Sequence, residues 1–67
     1  MLHVIVNGET REFTPGQSVA SLLHALNIAP DRVAVELNKA IVRKRDWEAT
    51  LVAPDSRIEI VEFVGGG

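Results

Sequence analysis

Sixty-seven residues make one small domain and leave no room for a second domain or a large enclosed active site. Hydrophobic residues are 46% and charged residues 24%, too apolar a mixture for a disordered chain. A formal net charge of −2 argues against a nucleic-acid partner, which would need a basic face.

A chain this short buries only about 60% of its extended-chain surface, so its stability should be marginal. There is no cysteine. That excludes a disulfide scaffold, a thiolate zinc site and a nucleophilic cysteine. Apolar runs reach only three residues, as in Val4-Ile5-Val6, so no membrane span is expected. No basic segment followed by a long apolar stretch marks a secretory signal, and a cytoplasmic domain is the expectation.

In chain order, Leu2-His3-Val4-Ile5-Val6 reads as a strand with Leu2, Val4 and Val6 on the core face. Asn7-Gly8 marks a hairpin, since both residues tolerate positive φ, and Thr10–Phe13 is the return strand. Pro15-Gly16 is a turn and Ser18 an N-cap. Val19, Leu22, Leu23 and Leu26 then form one apolar stripe at helical spacing. Ser21 stands at N3, where a capping box calls for Glu or Gln, so no box is expected. Asn27 and Pro30 end a helix of about eight or nine residues.

Val33–Leu37 is a third strand, and Asn38-Lys39 turns into a short fourth, Ala40–Val42. Arg43–Trp47 reads as a turn or a single 3₁₀ turn, with Trp47 packing one edge into the rim of the sheet. Pro54-Asp55-Ser56 turns into the last strand, Arg57–Val61, with Ile58 and Ile60 inward. The order β-β-α-β-β-β, with an apolar last strand at the sheet centre, predicts an α+β fold of the β-grasp (ubiquitin-like) type. It is a small mixed sheet of about five strands with one main helix packed on it. The expected core is Val4, Val6, Leu22, Leu26, Val35, Ile58 and Ile60. The domain should span residues 1–63, with residues 64–67 as a flexible tail.

Catalytic constellations are nearly absent. His3 and His24 lie on different elements and read as exposed side chains without a third ligand nearby. Arg43-Lys44-Arg45 reads as a solvated loop. The acids Asp55, Glu59 and Glu62 read as a solvated face, with docking of a basic partner as the other reading. The informative feature is the ending Glu62-Phe63-Val64-Gly65-Gly66-Gly67. Glycines cost conformational entropy when ordered and stabilise nothing in a fold. Three of them after a core strand fit either a frayed end or a tail that threads into another protein's narrow slot. Fully extended, residues 64–67 reach about 13 Å. Glu62 would point inward by alternation, so the sheet should end or twist near Val61. Phe63 would then stand at the rim as an apolar partner anchor beside Val64, or else close the bottom of the core.

Several stretches carry a resemblance to a known family. They are Val6-Asn7-Gly8-Glu9, Val33–Asn38, the segment Ile41-Val42-Arg43-Lys44-Arg45-Asp46-Trp47, and Ile58 through the terminal Gly66-Gly67. Together they resemble the sulfur-carrier proteins of thiamine biosynthesis, the ThiS family, over essentially the whole chain. The family often has proline where Arg43 stands and a Gly-Asp turn where Asp55-Ser56 stands. The resemblance implies a protein co-substrate rather than an enzyme, with no metal or cofactor of its own. Gly67 would be adenylated by an E1-like adenylyltransferase (ThiF-like) that uses ATP and Mg²⁺. A sulfur donor protein would convert it to a thiocarboxylate, which delivers sulfur to thiazole synthase (ThiG-like). Gly65, Gly66 and Gly67 would be the tail presented to these partners. The alternatives are a MoaD-like sulfur-carrier subunit of molybdopterin synthase and a β-grasp binding module that is never thiolated.

Overall fold

The structure, a computed structural model, describes residues 1–63 of the chain. Strand β1 (Leu2–Val6) alternates as predicted: Leu2, Val4 and Val6 are buried, and His3 is exposed. Asn7 and Gly8 both take positive φ, 48° and 85°, and reverse the chain into β2 (Glu9–Phe13), which starts one residue earlier than expected. Positive φ at both central positions matches the twist of the flanking strands.

Helix α1 (Val19–Ala25) is seven residues long, shorter than its apolar stripe implies. Leu26 is its C-cap, and Asn27 turns away with φ 59°. So short a helix cannot stand on propensity. Its first N–H groups instead find partners across the fold. The Val19 N–H donates to the Thr50 carbonyl at 2.9 Å and the Ala20 N–H to the Trp47 carbonyl at 3.1 Å. The Ser21 N–H donates to the Ser18 hydroxyl at 3.1 Å, and the Ser18 N–H donates back to the Ser21 hydroxyl at 2.9 Å. This is a complete capping box, contrary to expectation, because a serine hydroxyl at N3 accepts as a Glu side chain would.

Strands β3 (Val33–Leu37) and β4 (Ala40–Val42) match their predicted bounds, joined through Asn38 and Lys39 at positive φ. A 3₁₀ turn at Lys44–Asp46 leads to Trp47. Strand β5 (Arg57–Glu62) lies at the centre of a five-stranded sheet ordered β2-β1-β5-β3-β4. It runs parallel to β1 and antiparallel to β3, and α1 contributes its stripe to the same core: a β-grasp.

The core comprises Val4, Val6, Leu22, Val35 and Ile58 of the predicted set, together with Leu2, Phe13, Val19, Leu23, Val33, Trp47 and Val52. Leu26 and Ile60 are only partly buried. Trp47 does more than pack an edge into the rim: it is buried, and its indole N–H donates to the Val42 carbonyl at 2.8 Å. Strand β5 does not stop at Val61. Pairing with β3 continues through Val33 and Glu62, because ladder bonds are made by the backbone whatever the side chain. Glu62 is exposed although its register puts it on the core side, so the covering layer stops short of it. No helix among the described residues is long and apolar enough to cross a membrane.

Candidate functional site

Strand β5 leads to Phe63, and two asparagines on two different turns secure the strand. Asn38, on the β3–β4 turn, donates its N–H to the Arg57 carbonyl at 2.7 Å and accepts the Arg57 N–H on Oδ1 at 2.9 Å. Asn7, where β1 leaves the sheet, donates its N–H to the Ile58 carbonyl at 3.0 Å. Its side chain then stands in for the missing strand. Oδ1 accepts the Ile60 N–H at 2.7 Å, and Nδ2 donates to the Ile60 carbonyl at 3.2 Å. An amide side chain carries the same donor and acceptor as a peptide, so the β1 side of β5 stays paired beyond the end of β1. On the other side, the Phe63 N–H donates to the Arg32 carbonyl at 2.7 Å.

Phe63 therefore leaves the sheet with its backbone anchored and is 57% exposed. That places it at the rim and removes the reading in which it closes the core. Val64, Gly65, Gly66 and Gly67, the other residues singled out by the sequence, lie outside the described residues.

The remaining candidates do not converge. His3 hydrogen-bonds Glu12 at 2.9 Å on the open side of β1 and β2. His24 is exposed on α1. No group of three or more potential ligands is placed to hold a metal among the described residues. Lys44 pairs with Asp31, and its ammonium holds the Asp31 carboxyl below the usual range through a hydrogen bond and charge. An open groove of about 770 Å³ lies between α1 and the Lys44–Asp46 turn, lined by His24, Ile28, Lys44, Arg45 and Glu48. Leu23 and Trp47 in its lining are buried, and Ala20, Ile28 and Pro30 make up the rest of its apolar wall.

In the sequence Asn7 and Asn38 read only as turn formers, and their bonds to β5 are not apparent there. The available signal was asparagine, rather than glycine, at a positive-φ position next to a strand that must pair further than its neighbour runs.

Residues 4–67 match the ThiS family. The chain belongs to the ThiS family. The crystal structure of the thiamine biosynthesis protein ThiS from Geobacter metallireducens superposes with a TM-score of 0.85 at 32% identity. That alignment covers 98% of this chain and all of the other. Two proteins named thiazole synthase are also similar over 66 residues, 98% of this chain: one from Magnetococcus marinus at 39% identity, one from Paramagnetospirillum magneticum at 38%. The chain spans about a fifth of the length of each (20%), so the ThiS-like part is one segment of a longer protein there.

Proposed function

We propose that this protein is a sulfur carrier for thiazole formation in thiamine biosynthesis, with the Gly67 α-carboxylate as the reacting group. The observation that carries the reading is the ThiS family match through residue 67, on a fold that superposes on a ThiS protein.

A carboxylate is a poor electrophile. An E1-like adenylyltransferase, with ATP and Mg²⁺, joins the Gly67 carboxylate oxygen to the α-phosphorus of ATP and releases pyrophosphate. A sulfur donor protein supplies a sulfide equivalent that attacks the acyl carbon, and AMP leaves. The resulting thiocarboxylate is ionised near neutral pH and nucleophilic through sulfur, which suits it to thiazole synthase. The named relatives support that last partner, since a segment like this chain is part of proteins called thiazole synthase. The chain itself supplies the handle and the docking surface. Gly65 and Gly66 have no Cβ and let the backbone approach a reacting centre closely. Phe63, exposed beside them, is the apolar anchor at the interface, with Val64 next to it.

Appending one residue to Gly67, or amidating it, is expected to abolish ATP–pyrophosphate exchange on the cognate adenylyltransferase while leaving the melting temperature unchanged. Undiminished exchange with the blocked protein would contradict the assignment.

A further inference from the structure

Of the three asparagines, Asn7, Asn27 and Asn38, only Asn7 is followed by glycine. Asparagine is a thermally labile side chain, because the next backbone nitrogen can attack its amide carbon and close a five-membered imide. A side chain on the following residue crowds that attack, as Ile28 does after Asn27 and Lys39 after Asn38. Gly8 has none. Asn7 and Gly8 are both exposed, and nothing lies within 4 Å of where a Cβ on Gly8 would stand. The Gly8 N–H has no hydrogen-bond acceptor among the described residues. Nucleophile and electrophile therefore adjoin in the open, with one restraint on them. The Asn7 amide is bonded to the Ile60 N–H and carbonyl, the two bonds that prolong the pairing of β5 beyond Val6. Bringing the amide carbon onto the Gly8 nitrogen pulls it away from Ile60 and breaks both.

We propose that Asn7 is a modification site, which deamidates through a cyclic imide with Gly8 at a rate set by release of its amide from Ile60. The Gly8 nitrogen forms a bond to Asn7 Cγ, the Cγ–Nδ2 bond breaks, and ammonia leaves with the proton from the Gly8 nitrogen. Water then opens the imide at either carbonyl. One opening leaves aspartate; the other leaves isoaspartate, with an extra methylene in the backbone of the turn. Neither product restores the native pairing. A carboxylate has no N–H to give the Ile60 carbonyl, and it sets a negative charge against that oxygen. Strand β5 thus loses its side-chain tie on the β1 side just before it reaches Phe63, and the step runs one way. The inference stands apart from the sulfur-carrier reading.

Incubation of the full chain at mildly alkaline pH, folded and in concentrated urea, followed by intact mass and fragment analysis, tests this. A mass gain equal to the exchange of one NH for one oxygen should map to Asn7 in both samples, about tenfold more slowly in the folded one. Asn27 and Asn38 should lag far behind. The aged protein should exchange the Ile60 amide faster than fresh protein and melt lower. Asn7→Asp, which carries a carboxylate from the start, should do the same. No gain at Asn7 in the folded protein, or a folded rate within about twofold of the rate in urea, overturns the inference. So does modification of Asn27 or Asn38 as fast as that of Asn7, and so does aged protein with unchanged exchange at Ile60.

Discussion

Asn7 shows how much a single side chain can carry. Its backbone at φ 48° turns the hairpin, and its amide completes the pairing of Ile60. Asn7→Gly keeps the turn conformation and removes only the amide, so it separates the two roles. The expected cost is about 1–2 kcal/mol in denaturant unfolding, together with faster amide exchange at Ile60. Unchanged exchange at Ile60 would show that the side-chain bonds contribute nothing. Asp31 offers a second test at this scale. Lys44 depresses its pKa, so the pair favours the folded state above the unfolded carboxylate value of 3.8. That contribution is lost as pH falls through the lower folded value. Both side chains are well exposed, so the effect on stability is small. In Lys44→Met, the Asp31 carboxyl followed by NMR should titrate higher than in wild type.

Helix α1 is the element whose neighbours matter most. Its Val19, Leu22 and Leu23 are buried, and Leu22 is fully inaccessible. Leu22→Ala should cost about 2–5 kcal/mol, a large share of what a domain this small has. A melting shift of only a degree or two would contradict the packing. The helix and strands were legible because periodicity and turn chemistry are local: the Val19-Leu22-Leu23 stripe, the Asn7-Gly8 turn and the alternation of β1 each speak for themselves. The segment after Trp47 was not. Val52 is buried because its N–H donates to the Gln17 carbonyl at 2.9 Å, and because Thr50 and Trp47 supply carbonyls to the start of α1. Those bonds join residues about thirty positions apart in the chain. No pattern within residues 48–53 announces them. The capping box was missed for a simpler reason: the expectation at N3 was a residue type, and the requirement is an oxygen within reach of the N-cap N–H.

In the whole molecule, the last strand in sequence is the middle strand of the sheet, between β1 and β3. That placement lets Phe63 emerge at the rim with its backbone held. The candidate site was legible as composition, a glycine run after an apolar strand. Its setting was not, because the place of β5 between β1 and β3, and the reach of Asn7 to Ile60, depend on a register that no strand reveals alone. The central claim is that Gly67 carries sulfur. Intact mass spectrometry after incubation with the cognate adenylyltransferase, ATP and a sulfur donor tests it most directly. The account predicts a mass gain equal to the exchange of one oxygen for one sulfur, localised to Gly67 by fragmentation. An unchanged mass, or a gain that maps elsewhere in the chain, would contradict it.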